Sequence, residues 1–258
     1  MEKATRIICL LLAACLYRGR LAGEAYLQRI NVRSLGLGAP EAVTSIFGNA
    51  SLLSLLERHE TGFQYLNRYG MKELGTLHGY FYFSGRLPVG IDFSTFGYEA
   101  YRESMARLSA GMKLSSHWAL GVGLQGHWRQ SELIERTSFR LSADFGLLYM
   151  AAEDLRLGFA LSDFPRAYFL QAGCQWKLLG NLSLLGGLLY DKESRTGFGV
   201  GAEYEPFDAF FLRAGLRNRP TQPSFGLGYR FYGYRMDISA IYHSVLGVSL
   251  ALGLAYSF

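Results

Sequence analysis

The chain has 258 residues, of which 18% are charged and 15% aromatic, and its formal net charge is +5. A charge this mild argues against a nucleic-acid-binding protein, and the charged fraction lies below the quarter that is usual for a soluble domain. The 17 Tyr and 18 Phe, set against 6 Pro, favour a transmembrane β-barrel, whose aromatic girdles lie at both membrane interfaces.

Residues 1–25 have the layout of a secretory signal peptide, because two basic residues precede the apolar run Ile7–Tyr17. The run is too short to span a bilayer as a helix, which takes roughly 20 residues. A small-x-small site predicts cleavage after Ala25. The sequence before Cys15 also fits a lipobox, which would lipidate that cysteine instead.

Residues 26–59 lack the alternation that follows them. The segment Arg33–Gly38 contains glycine, and Ser51–Arg58 predicts a short amphipathic helix. We expect 26–59 to form a hatch or plug inside a barrel lumen or at its periplasmic mouth. A linker outside the barrel is the alternative.

From residue 60 to the end, apolar and polar residues alternate with a period of two, which is typical of strands with one buried face. The segments predict an all-β, antiparallel transmembrane barrel of about 14 strands, an even number that brings both chain ends to the periplasmic side. The predicted strands lie near Gly62–Arg68, Leu74–Phe83, Leu87–Thr95, Met105–Leu114, Trp118–Arg129, Thr137–Tyr149, Leu155–Ser162, Tyr168–Leu178, Leu182–Tyr190, Thr196–Glu205, Phe210–Arg217, Ser224–Phe231, Arg235–His243 and Leu246–Phe258.

The last strand sets the orientation of all the others. Large apolar residues from Leu246 to Phe258 share one face, and Gly, Ser and Ala share the other. In a membrane barrel the large apolar face meets lipid and the small or polar face lines the lumen. The terminal Leu254, Tyr256 and Phe258 resemble the C-terminal signal that the barrel-assembly machinery reads during insertion.

The same rule predicts a charged lumen. A cation on the lipid face would cost roughly 2–4 kcal/mol at the bilayer midplane, so the charged positions are expected to point inward. Candidate lumen-facing residues are Arg107, Lys113, Arg129, Arg140, Asp144, Glu203, Arg213, Arg230, Asp237 and His243. Such a lumen is too polar for a hydrophobic-substrate channel, which needs an apolar pocket.

No motif for catalysis, cofactor binding or metal binding is found, and we expect a non-enzymatic protein without a cofactor. The glycine-rich Gly197–Gly201 lies in a predicted strand and lacks the helix and lysine of a phosphate loop. His127 and His243 face inward without metal-ligand spacing. Cys174 is expected on the lipid face, and the other two cysteines lie in the signal region.

Three stretches give the chain a family resemblance: Arg33–Ser54, Gly97–Gln125, and the last four predicted strands from Gly201 onward. The most specific block is the last, with Asp237, His243 and Leu246-Gly247 before the closing strand. The chain resembles the PorV/PorQ family of Bacteroidota outer-membrane proteins, which are relatives of the fatty-acid transporter FadL. It departs from the family pattern at Asn49-Ala50-Ser51, where an Asn-Pro-Ala-like motif lacks its proline.

The resemblance implies a FadL-like barrel and, for some family members, association with type IX protein secretion. Together with the charged lumen and short connections, it predicts an accessory subunit of a secretion or envelope-assembly machine. The alternative is a passive channel or FadL-like transporter of small or hydrophobic molecules. The expected location is the outer membrane, and the expected partners are outer-membrane lipid, the barrel-assembly machinery and proteins of an envelope complex, with no nucleic acid.

Overall fold

The computed structural model describes residues 30–38, 41–131, 138–165, 168–191, 195–218 and 220–258. The predicted signal peptide, its cleavage after Ala25 and the alternative lipidation of Cys15 lie outside the described residues. Among those residues, no helix has the length and apolar character needed to cross a membrane.

Fourteen antiparallel strands form a closed barrel in which each strand pairs with its sequence neighbours and the first pairs with the last. This confirms the predicted fold class. The strands are β1 (Glu60–Asn67), β2 (Gly75–Phe83), β3 (Val89–Tyr98), β4 (Tyr101–Lys113), β5 (Trp118–Ser131), β6 (Ser138–Met150), β7 (Leu155–Phe164), β8 (Phe169–Leu179), β9 (Leu182–Asp191), β10 (Arg195–Phe207), β11 (Phe210–Arg217), β12 (Gln222–Phe231), β13 (Tyr234–His243) and β14 (Gly247–Ser257).

Closure pairs β1 with β14 in a register that joins Glu60 to Ser257 and Asn67 to Leu250. The barrel therefore has no free sheet edge, which lipid could not satisfy with hydrogen bonds. The chain enters β1 and leaves β14 at the same end. Outer-membrane barrels have short turns on the periplasmic side, and this end carries tight turns such as 180–181, 208–209 and 232–233. We call it the periplasmic mouth.

The two faces of the wall differ as the alternation predicts. Outward side chains are large, apolar and exposed, for example Leu108 at 60%, Val122 at 53% and Phe225 at 65%. Most inward positions on the same strands are buried and are polar, charged or small. Such a wall is stable only with lipid around it, because a soluble protein does not expose a contiguous apolar belt of this extent. The protein is a transmembrane β-barrel of the outer-membrane type.

Inside the barrel lies a segment that we call the plug, residues 30–38 and 41–56. It begins with α1 (Val32–Leu37), which Asn31 caps by accepting from the Ser34 backbone N–H and which Gly38 ends in the left-handed conformation. Two 3-10 helices follow, at Glu41–Val43 and Ala50–Leu55. A third, Lys72–Leu74, lies outside the plug, between β1 and β2.

Several predicted element bounds were wrong. β4 begins at Tyr101 rather than Met105, and β3 runs to Tyr98 rather than Thr95. The residues at these ends still pair, although an inward Phe96 and an outward Arg102 break the apolar alternation. The predicted helix Ser51–Arg58 is a 3-10 helix that ends at Leu55, since the chain must straighten to enter β1. The α-helix Val32–Leu37 was not predicted.

Candidate functional site

The plug packs against the inner wall at the positions where that wall has glycine. A Cβ atom at Gly121 would overlap the Ser51 amide nitrogen and the Ala50 carbonyl carbon, and one at Gly215 would overlap the Leu37 carbonyl group. Gly146 and Gly158 lie equally close to Asn49 and Ala42. The small-residue face of the strands is therefore a footprint of the plug.

Asn49 holds the plug to itself and to the wall. Its Oδ1 accepts from the Ser51 backbone N–H at 3.1 Å and from the Ser51 hydroxyl at 2.6 Å. Its Nδ2 donates to the carbonyl oxygens of Ala42 at 2.7 Å and of Leu147 at 3.3 Å. One buried amide side chain thus caps the second 3-10 helix, ties it to the first and joins both to β6.

α1 is held on the opposite side of the lumen by hydroxyl and amide side chains of the wall. Ser239 Oγ donates to the Val32 carbonyl at 2.7 Å, and Ser224 Oγ donates to the Gly36 carbonyl at 3.2 Å. Gln64 Oε1 accepts from the Val32 backbone N–H at 2.8 Å. These bonds satisfy backbone groups near the start and end of a helix that is too short to satisfy them internally.

The first charged cluster surrounds Arg107. Its Nε donates to Asp144 Oδ2 at 2.9 Å, and its Nη1 lies 3.4 Å from Asp92 Oδ2. Asp92 also accepts from the Tyr82 hydroxyl at 2.7 Å and lies 3.3 Å from His78 Nε2. All of these groups are buried, so the two carboxylates compensate the guanidinium in a site from which water is excluded.

A β-bulge in β7 extends this cluster. The pairing of β6 with β7 shifts between Ala143 and Phe145, and Asp163 adopts a positive φ of 58°. As a result Ser162 and Asp163, although adjacent, are both buried inside. Asp163 Oδ1 lies within hydrogen-bonding distance of groups on β5 and β6: Gln125 Nε2 at 2.6 Å, His127 Nε2 at 3.0 Å, Ser142 Oγ at 3.0 Å and Arg140 Nη2 at 3.4 Å.

The second charged cluster joins α1 to β10, β11 and β13. Glu203 binds Arg33 of the plug at 2.6 Å and Arg213 at 2.7 Å. Asp237 binds Arg213 at 2.6 Å and Arg235 at 3.2 Å. Arg235 in turn lies 3.1 Å from Glu60, so alternating charges connect the plug to the strand that closes the barrel.

Most of the predicted lumen-facing residues fall in these clusters. Arg107, Arg140 and Asp144 lie in the first, Glu203, Arg213 and Asp237 in the second, and Arg129 pairs with Glu103 at 2.9 Å. The other three candidates, Lys113, Arg230 and His243, lie outside these ion pairs.

Lys113 and Arg230 are exposed at the periplasmic mouth, and Arg230 lies over the Phe211 ring at 4.4 Å. His243 Nδ1 accepts from the Val245 and Leu246 backbone N–H groups and so caps the turn before β14. The alternation predicts that these three side chains face inward, but it does not predict that they lie at the ends of the barrel.

The predicted assembly-signal residues lie on the outer face. Leu254 is 47%, Tyr256 38% and Phe258 53% exposed, and the rings of Tyr256 and Phe258 stack with centroids 5.8 Å apart. Cys174 also points outward and is partly buried. Among the described residues, no group of three His, Cys, Asp or Glu side chains is placed to hold a metal ion.

The outer wall carries an apolar groove of about 470 Å³ that crosses β5 to β10. Phe145 and Leu161, the first residues that pair after the β7 bulge, both line it. Farther along, Ala172 of β8 and Leu188 and Tyr190 of β9 line it. The surface that lines the groove is almost entirely apolar, so the groove fits a hydrophobic molecule that enters from the membrane.

Solved structures of other barrels share this architecture. They include the toluene transporter TbuX of Ralstonia pickettii (TM-score 0.71, 12% identity, covering 90% of this chain and 99% of that one), the toluene transporter TodX of Pseudomonas putida (0.68, 10%, 90% and 98%), and a FadL homologue of Pseudomonas aeruginosa (0.64, 12%, 90% and 99%). This chain has the FadL-type barrel fold. At these identities the likeness is one of fold alone. No family model and no curated protein matches the sequence.

The sequence analysis did not find several residues that build the site. Arg33, Asn49, Gln64 and His78, which connect the plug to the wall, and Asp163, which connects β7 to β5 and β6, were not among the candidates, because their partners lie far away in sequence. One signal was visible. Ser162-Asp163 places two polar residues in succession at the end of a strand, which is typical of a bulge.

Proposed function

We propose that this protein is a FadL-type outer-membrane channel for small hydrophobic molecules, and that it has no catalytic role. The observation that carries the proposal is the apolar groove on the lipid face, which crosses the β6–β7 pair next to the point where the strand register shifts. The lumen itself is occupied by the plug and by ion pairs. A hydrophobic molecule would therefore approach from the membrane through the wall groove rather than along the barrel axis.

Uptake of radiolabelled toluene by Gram-negative cells that express the protein tests this proposal. We expect faster uptake than in cells with an empty vector. Ala172→Trp should fill the groove and reduce uptake, because the indole occupies the space between Phe159 and Leu188.

Ala202→Trp is the matched control, since Ala202 is also a small outward residue but lies outside the groove lining. Equal uptake by the wild type and the empty vector, at equal amounts of folded barrel, would contradict the proposal. If both tryptophan variants lost uptake to the same extent, the groove would not be the route by which toluene enters.

An accessory subunit of PorV/PorQ type, serving type IX secretion in Bacteroidota, is the second candidate. The short turns and the ion-paired lumen favour it, because neither is needed by a channel for apolar molecules. Co-purification from native membranes tests this function. Stoichiometric secretion partners would support it, whereas isolation of the chain alone together with toluene uptake would exclude it.

A further inference from the structure

A second cleft, of about 490 Å³, opens at the periplasmic mouth between the plug and the inner wall. Leu55 of the plug forms one side. The turns before β5 and β7 form the rim, and Arg156, Gln175 and Lys177 of β7 and β8 form the wall. The volume lies within the range of small-molecule sites, roughly 300–1,000 Å³. This cleft is distinct from the groove on the lipid face.

Arg156 in this cleft has a different environment from Arg107 and Arg213, the central arginines of the two charged clusters. Arg107 and Arg213 each contact two carboxylates. Arg156 instead donates from Nε to the neutral Gln175 Oε1 at 2.9 Å, and its Nη2 contacts the same oxygen. Within the described part of the chain, no carboxylate lies within ion-pair distance of it. The amide fixes the orientation of the guanidinium without compensating its charge, so a partly buried cation is left ready for an anion.

Lys177 adds a second cation beside it. Arg156 pairs directly with Gln175 across β7 and β8, so Lys177, two residues along the same face, is its diagonal neighbour. Side chains in that relation lie about 7–8 Å apart at their bases, and long ones reach a common point. Lys177 is exposed and, among the described residues, has no ion-pair partner.

The remainder of the lining determines what kind of anion fits. Leu55, Met150 and Leu155 give the cleft an apolar side. Asp154 lies at the rim, and its carboxylate accepts from the outward indole N–H of Trp176 at 3.1 Å. Glu153 is exposed in the same turn, where solvent and salt screen its charge.

We propose that this cleft binds a small organic anion whose charged head contacts Arg156 and Lys177 and whose apolar body packs on Leu55 and Met150. Water-soluble anions carried by the periplasm reach the cleft directly, because it opens at the mouth. The site does not depend on the proposed uptake of neutral hydrocarbons, which concerns the opposite face of the wall.

Equilibrium dialysis of the purified full chain in detergent against radiolabelled benzoate tests the site. We expect saturable binding that Arg156→Gln weakens about ten- to a hundredfold, the range for loss of a charge-assisted hydrogen bond. Lys177→Gln should weaken it less, because its ammonium is exposed. Lys113→Gln is the control, a mouth lysine that lies outside the cleft lining.

Two competitors distinguish the contribution of the two cations to benzoate binding from that of the apolar side chains. Excess benzyl alcohol, which keeps the ring and lacks the charge, should displace benzoate poorly, and so should inorganic phosphate, which keeps charge and lacks the ring. Equal displacement by benzyl alcohol, or unchanged affinity in Arg156→Gln, would overturn the proposal. If phosphate displaced labelled benzoate as well as unlabelled benzoate does, Leu55 and Met150 would not contribute to binding.

One further variant keeps the test decisive if Arg156→Gln does not fold, as judged by the heat-dependent mobility of the barrel on electrophoresis. Glu153→Gln removes a like charge from the rim and should strengthen benzoate binding at low salt. The gain should disappear at high ionic strength, where rim charges are screened. If Glu153→Gln leaves binding unchanged at low salt, the anion does not bind in this cleft.

Discussion

The guanidinium of Arg107 lies against the ring of Phe47, with its central carbon 5.6 Å from the ring centroid. Arg107 belongs to the wall and Phe47 to the plug. The same ring also stacks on His78, with centroids 4.5 Å apart. The charged cluster inside the barrel is therefore part of the plug's binding surface as well as of the wall.

Arg107→Met tests how much this cluster stabilises the barrel. The substitution leaves Asp92 and Asp144 buried without their cation, and breaking a buried pair in this way costs about 3–5 kcal/mol. We expect the free energy of unfolding to fall by that amount. Urea unfolding in detergent, followed by tryptophan fluorescence, measures the loss.

Arg230→Met is the matched control, because Arg230 is an exposed inward arginine at the mouth. Its loss should change the free energy of unfolding by less than about 1 kcal/mol. Equal effects of the two substitutions would show that the Arg107 cluster contributes no more than a surface charge.

The alternation along the chain predicts which residues of this cluster face inward, but not which of them meet. Lipid requires one apolar face, so a period of two is visible throughout the strands. Pairing depends instead on register and on the plug. Arg33 and Glu203 are 170 residues apart, and nothing local in either segment indicates the other.

The plug itself was predicted as a segment and not as a structure. Much of its close packing is against wall glycines such as Gly121. At those positions the wall carries no complementary side chain that a pattern could reveal. The glycines were interpreted as small lumen residues. Glycine is needed at these positions because the plug approaches the wall closely there, and only the folded barrel shows this approach.

Gly121→Ala tests whether the plug seals the lumen. The added methyl group would meet the Ala50–Ser51 backbone, and overpacking of this kind costs about 1–3 kcal/mol. We expect a low current through planar bilayers for the wild type, and a higher current for Gly121→Ala because its plug is displaced.

Gly197→Ala provides the comparison, because the closest heavy atom to its added methyl group would be 3.5 Å away, an ordinary contact. It should conduct as the wild type does. A large steady current in the wild type would show instead that the plug leaves an open path.

Asn49→Asp tests the link between the two plug helices and β6. The carboxylate can still accept from Ser51, but it cannot donate to the Ala42 and Leu147 carbonyl groups, which the Asn49 amide satisfies. Two buried acceptors facing a carboxylate should cost more than the roughly 1 kcal/mol of a lost cap. We expect faster hydrogen exchange at residues 41–56 than in Asn49→Ser, which keeps a hydroxyl donor. Equal exchange in both would mean that the amide bonds to the carbonyl groups are dispensable.

Phe258→Ser tests the proposed role of the last strand in assembly. Phe258 stacks on Tyr256 at the periplasmic end of the outer face, and its backbone N–H donates to the His59 carbonyl at 2.9 Å, across the seam that closes the barrel. The substitution keeps that backbone bond and removes only the ring. If the ring is read during insertion, the amount of folded barrel in the outer membrane should fall several-fold while the unfolding midpoint of the purified barrel changes little.

Phe207→Ser separates recognition from a general loss of interfacial aromatics. Phe207 is 68% exposed at the periplasmic end of β10, so it has a comparable place in the aromatic girdle but lies far from the chain end. Its loss should leave the membrane level unchanged. If both variants lower the amount of folded barrel in the outer membrane equally, the effect comes from the loss of an interfacial aromatic ring in general. Recognition of the last residue would then not be needed to explain it.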